Sequence, residues 1–109
     1  MKVFEGVILI HRIKGTEVVL LDDEPVSKIF SVLNDKEVML KINAGPELSY
    51  TFEGIAEVFY FEGIQKSHSG IKYVNDFYID EADMIEILKK HEGKKIELMV
   101  LERDYSGNH

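Results

Sequence analysis

From Leu48 onward the chain alternates. Leu48, Tyr50, Phe52, Gly54, Ala56, Val58 and Tyr60 fall on one side, while Ser49, Thr51, Glu53 and Glu57 fall on the other. A period of two is that of a half-buried strand, so this stretch predicts a long strand with its apolar side on a core. Phe4-Glu5-Gly6-Val7 resembles Phe52-Glu53-Gly54-Ile55, and carrying the register across turns Phe4, Gly6, Ile8 and Ile10 inward. A glycine at an inward strand position predicts a bulge, a sharp bend or the close approach of another backbone.

The period then changes. Met84, Ile87, Leu88 and His91 lie on one helical face, as do Val26, Ile29, Phe30 and Leu33. Asp80 is the expected N-cap of the second helix, with Glu81 and Asp83 at the positive end of its dipole and Ile79 placed to staple onto Met84. Leu21 and Val26 repeat the staple. Residues 28–42 taken alone would also suit a hairpin turning at Asn34-Asp35. The likeness of the two halves favours a helix over 25–33, with Pro25 tolerated in its first turn. Third strands follow at 37–42 and 95–101, with Val38, Leu40 and Ile42, or Ile96, Leu98 and Val100, facing inward.

The halves correspond residue by residue. An offset of forty-eight matches Phe4, Glu5, Gly6 and Gly15 to Phe52, Glu53, Gly54 and Gly63. An offset of fifty-eight matches Asp22, Ile29, Lys36 and Leu40 to Asp80, Ile87, Lys94 and Leu98. This predicts an internal duplication, with copies over about 2–43 and 49–101. The offsets differ by ten, which places an insertion of about that length within 64–73 of the second copy. One copy is too small to bury its own apolar face, so the halves should share one core in a single domain over 1–101, followed by a polar tail at 102–109.

Each copy reads as strand, strand, helix, strand. The element order and the repeat resemble the cradle-loop barrels, the double-psi and swapped-hairpin types built from two interlocked copies. The resemblance spans residues 2–101 and rests on no diagnostic motif. It implies a mainly β (α+β) fold: a six-stranded closed or partly open barrel from two interlocked ββαβ repeats, with two short helices and with Gly6 and Gly54 near the pseudo-twofold axis. Functions within that group range from substrate recognition and DNA binding to catalysis, so the architecture does not carry an activity with it.

Composition narrows the class. The 109 residues are 45% hydrophobic, as in a globular domain, and include no cysteine, which excludes disulfides and thiolate metal sites. No apolar run is long enough to span a bilayer and the amino terminus lacks the pattern of a secretory signal, so a cytoplasmic location is expected. The net charge is −7. Seven basic and thirteen acidic residues lie beyond Ala44, against six and seven before it. Such a surface repels phosphate backbones and suits a basic protein partner.

Candidate chemistry is sparse. The inserted loop carries Gln65, Lys66, His68, Lys72 and Tyr73 with no acid, in an otherwise acidic half, and is a candidate for binding a partner or ligand; a lengthened hairpin with a polar tip explains it equally. Met39 and Met99 occupy matching outward positions near Phe59 and Ile55, a candidate interface for a partner or a homodimer. Nine of eleven aromatics follow Ser49, which core packing largely explains. Glu5 and Glu53 match in position, but their outward register makes them solvated strand residues. His91 matches Leu33 and should be a partly buried helix-end histidine. The four histidines show no metal-ligand spacing, and the final Ser-Gly-Asn-His is a coincidental spelling of a hydrolase family name. No catalytic residue, metal or cofactor is expected. The leading expectation is a small non-enzymatic module that recognises another protein, an adaptor or accessory protein. A nucleic-acid-binding barrel using 64–73 and the aromatics, and a small-ligand or catalytic cradle, remain as alternatives.

Overall fold

The computed structural model describes residues 1–13, 15–64 and 71–103. Its strands are β1 (Lys2–Ile13), β2 (Thr16–Leu21), β3 (Glu24–Pro25), β4 (Glu37–Asn43), β5 (Ser49–Ile64), β6 (Ile71–Ile79), β7 (Ala82–Asp83) and β8 (Lys95–Glu102). They form one antiparallel sheet in the order β3-β2-β1-β8-β4-β5-β6-β7. Helix α1 spans Val26–Ile29, a 3₁₀ turn spans Ser31–Leu33, and helix α2 spans Met84–Lys89.

The two long strands each serve two partners. β1 pairs with β8 over residues 2–7 and with β2 over residues 8–13. β5 pairs with β4 over residues 49–55 and with β6 over residues 56–64. The third strand of each half therefore leaves its own half and completes the other, and β4 and β8 meet at the centre, with Lys41 opposite Met99. The ladders agree in register under the offsets of the sequence: Gly6 faces Ile96 as Gly54 faces Val38, and Ile8 faces Leu21 as Ala56 faces Ile79.

The change of partner occurs beside the inward glycines. Asp22 and Asp80 sit in tight two-residue turns with positive φ (57° and 51°), a conformation that aspartate tolerates better than most residues. From there each folds its carboxylate back onto a long strand. Asp22 accepts a hydrogen bond from the Val7 N–H at 2.9 Å, and Asp80 accepts one from the Ile55 N–H at 2.8 Å. In return, the Asp22 and Asp80 N–H groups donate to the Val7 and Ile55 carbonyls. A Cβ on Gly6 would stand 2.7 Å from an Asp22 carboxylate oxygen, and one on Gly54 would collide with the Asp80 carboxylate. The close approach predicted for these glycines is thus real, but a side chain makes it.

This corrects the capping assignment. Asp80 is turned toward β5 and does not cap α2. Asp83 does, accepting from the Ile85 and Glu86 N–H groups, after the two-residue strand β7. α1 is shorter than the predicted helix over 25–33. It has no side-chain cap, and Ser27, Ile29, Ser31 and Val32 have weak helix propensity, so the segment continues as a 3₁₀ turn.

Both helices pack on the inner side of the sheet, α1 on β2, β5 and β6, and α2 on β1, β2 and β6. The core holds Ile8, Val38, Leu40, Ile42, Ala56, Ile96 and Leu98 from the strands, with Val26, Met84 and Leu88 from the helices. Phe30 sits in its middle, 5.0 Å from the Phe4 ring and 5.3 Å from Phe77 between centroids. A closed six-stranded barrel is not what forms. β2 and β6 approach each other, but there the Asn75 side-chain amide donates to the Glu17 carbonyl at 3.3 Å in place of a backbone ladder, and the sheet stays open.

The glycine–aspartate contacts yield a test with different outcomes in the two halves. Gly6→Ala should lose about 1–3 kcal/mol in urea unfolding, as overpacking does. Most of that loss should vanish in an Asp22→Gly background, which removes the colliding carboxylate. Gly54→Ala should not be rescued by Asp80→Gly, because Gly54 also has φ 154°, which a side chain disfavours. Additive losses in the Gly6/Asp22 cycle would refute the contact as the cause.

Candidate binding surfaces

Among the described residues, no helix covers the outer side of the four central strands. Cross-strand rows can be read from the pairing: Val3, Met99, Lys41 and Thr51 form one, and Leu101, Met39 and Glu53 the next. Met39 and Met99 are thereby brought together in a shallow depression of about 100 Å³, shared with Met1, Lys41, Thr51 and Leu101. Val3 is 54% exposed and Leu101 38%. Charged pairs surround this patch. Lys95 reaches Glu5 at 3.3 Å, Asn43 donates to Glu97 at 3.0 Å, and Arg103 bridges Glu37 and Glu53 at 3.2 and 3.1 Å. Glu5 and Glu53 therefore lie on opposite strands of the central four, each paired with a cation, and do not form a carboxylate pair.

Phe59 lies elsewhere, on the arm made by the outer halves of β5 and β6. It lines a cleft of about 350 Å³ with Asn34, Glu57, Val58, Asp76 and Tyr78. Asn34 is held there by accepting a hydrogen bond from the Val58 N–H. The charge of Asp83, followed by burial and the charge of Asp76, raises the pKa of Tyr78 above the ordinary tyrosine value. Glu57, Asp76 and Tyr78 were missed from the sequence. Alternation puts Glu57 and Phe59 on one side of β5, but it is the pairing with β6 that brings Asp76 and Tyr78 to them.

The arm is longer than its counterpart. The β1–β2 ladder ends at Ile13 and Thr16, while the β5–β6 ladder passes the matching pair, Phe61 and Val74, and continues for three more rows to Ile64 and Ile71. Residues 71–73, within the segment where the sequence suggested an insertion, are thus strand. Lys72 and Tyr73 lie on β6, where their backbones pair with Gly63 and Glu62; Gln65, Lys66 and His68 fall outside the described residues. Within the described part, Tyr60 and Glu62 share a cleft of about 310 Å³ with His11, Val18 and Leu20 of the other arm.

On the inner side, Phe4, Ile29, Phe30, Leu33 and Val100 line an open cleft of about 410 Å³, with Val32 at its rim 64% exposed. In the other half, Tyr50 and His91 stand at the positions matching Lys2 and Leu33, with ring centroids 5.9 Å apart. His91 is 4% exposed, and its Nδ1 has no hydrogen-bond partner among the described residues. Burial lowers its pKa, and the nearby Lys94 and Lys90 lower it further.

Electrostatics distinguish the two arms. Lys89 and Arg12 tie Glu17 and Glu92 together around the first arm, and these hydrogen bonds hold both carboxyls below their usual range. Among the described residues, no group of three or more His, Asp or Glu is placed to hold a metal ion, and no helix is long and apolar enough to cross a membrane. Compared with protein-family models, with curated proteins and with solved structures, the chain matches none.

The buried imidazole sets a pH dependence. The unfolded chain takes up a proton at His91 near the ordinary value of 6.5, while the folded protein resists protonation to a lower pH. Below 6.5 the unfolded state binds more protons, so this residue makes stability fall as pH drops, with no effect above that range. His91→Leu, which copies Leu33, should reduce the loss in melting temperature between pH 7.5 and 5.5. An equal loss in wild type and variant would contradict the assignment.

Proposed function

We propose that this protein is a non-enzymatic binding module, an adaptor or accessory protein that engages another protein through the outer face of its sheet. The observation that carries the reading is the placement of both helices on the inner side. It leaves Val3, Ile55 and Leu101 exposed on the other face, with Met39 and Met99 between them and no element of the described chain to cover them. A contiguous apolar patch rimmed by charged residues suits a protein interface better than a catalytic centre. The net charge of −7 favours a partner with a basic surface, through faster encounter and suppression of acidic competitors. Two copies of this chain facing each other would use the same patch. We further infer that the halves are copies of one ancestral unit; the matching registers and the exchanged third strands support this, and they favour kinship with cradle-loop barrels in an opened form.

The double variant Val3→Glu/Leu101→Glu places two charges on the patch without touching the core. In affinity purification followed by quantitative mass spectrometry, partners of the wild type should fall about tenfold or more, as for loss of a central contact worth 1.4 kcal/mol or more. The melting temperature should stay within a few degrees of wild type. Undiminished recovery of the same partners by the folded variant would exclude this face. Sedimentation of the wild type separates a self-association interface from one for a different protein.

A further inference from the structure

Equivalent positions on the two arms carry opposite chemistry. On the first arm they are Leu9, His11, Val18 and Leu20, and Val18 is only 2% exposed. On the second arm the same offsets give Glu57, Phe59, Asp76 and Tyr78. Glu57 lies directly across from Tyr78 and Phe59 directly across from Asp76, so two acids and two aromatics alternate in a square on one strand pair. Side chains on directly opposed strand residues stand close enough to act on one group together. Nothing in the described chain covers this square, and the Phe59 ring is 52% exposed.

The charges here have no ion-pair partner among the described residues. Glu5, Glu17, Glu37, Glu53, Glu92 and Glu102 each have a Lys or Arg within 4.0 Å. Neither Glu57 nor Asp76 is in an ion pair among the described residues, and the third acid nearby, Asp83, is engaged as the cap of α2. An exposed aromatic face attracts a cation through its quadrupole, and adjacent carboxylates attract it by charge and hydrogen bonding. A divalent metal would need several oxygen ligands converging on one point, whereas here aromatic rings separate the oxygens. A long aliphatic stem ending in a cation fits both parts of the surface.

We propose that the square of Glu57, Phe59, Asp76 and Tyr78 on the β5–β6 arm receives a lysine or arginine side chain of the protein partner. This rests on the reading of the protein as a protein-binding module and adds the recognition chemistry. Arginine is favoured over lysine, because its planar guanidinium can stack on Phe59 while donating to either carboxylate. The negative field that holds the Tyr78 hydroxyl protonated is the field that such a cation would neutralise.

The test uses the full chain, ¹⁵N-labelled, in amide-shift titrations with capped pentapeptides of glycine carrying arginine, lysine or glutamine at the centre, at physiological salt. The arginine peptide should perturb residues 57–59 and 76–78 more than the surroundings of Glu5 and Glu97, the lysine peptide less, and the glutamine peptide not at all. Glu57→Gln/Asp76→Asn, which preserves shape, and Phe59→Ala, which shortens an exposed ring, should each weaken arginine-peptide binding at least about threefold, the scale of an exposed cation–π contact or ion pair. Absence of shifts with arginine, shifts spread evenly over the acidic surface, or affinity unchanged in both variants would each overturn the proposal. Val3→Glu/Leu101→Glu separates it from the broader reading. Peptide binding that survives while the purified partners also survive leaves the arm standing and removes the sheet face; loss of partners with no peptide binding does the reverse.

Discussion

The contact on which this fold depends is the pair of hydrogen bonds between an aspartate in a tight turn and the backbone that follows an inward glycine. Asp22 binds both the N–H and the carbonyl of Val7, and Asp80 does the same at Ile55. At these residues each long strand stops pairing with one neighbour and starts pairing with another. A strand that changes partners would otherwise leave a backbone N–H and a carbonyl without a partner in the sheet. The aspartate closes that gap. It also demands glycine opposite, because the carboxylate occupies the space of a Cβ.

With the partner change secured, the exchange of third strands follows. β8 can continue β1 and β4 can continue β5, so neither half is complete without the other, and the shared core of Leu40, Ile42, Ile96 and Leu98 belongs to both. The two crossing connections, α1 with its 3₁₀ turn and α2, then lie on the same side of the sheet. One face is packed by helices, and no described element covers the other. The exposed apolar patch is therefore a product of topology, and its residues are free to vary within what a solvated strand allows.

Much of this was legible in the residues, for a reason that differs by element. The inward apolar positions of the third strands were readable because alternation is a direct consequence of strand geometry, and Val38, Leu40, Ile42, Ile96, Leu98 and Val100 are all buried. The inward glycines were readable as sites of close approach. What approached them was not, because an aspartate before a helix satisfies the pattern of an N-cap whether it caps that helix or reaches a distant strand. Asp83, three residues on, had the same chemistry and took the role. The barrel resemblance implied six strands, closed or partly open; the sheet has eight and is not closed, and between β2 and β6 the Asn75 amide donates to the Glu17 carbonyl. Of the candidate interface, Met39 and Met99 meet because they lie in adjacent rows, while Phe59 is carried away on the arm and finds neighbours on β6 that strand alternation alone could not pair with it.

The two arms share a scaffold and diverge in what it presents. In the first, three of the four outward positions are apolar and the fourth is His11, and Tyr60 and Glu62 of the second arm lie beside His11, Val18 and Leu20. The two arms differ in exposure: Val18 is buried while Asp76, at the matching position, is not. Residues on the uncovered arm must be compatible with water, which accounts for the acids, yet solvation alone does not call for an exposed phenylalanine between them. Phe59 contributes nothing to the core, and its exposed ring is the part of the arm that the proposed contact with a cationic side chain would use.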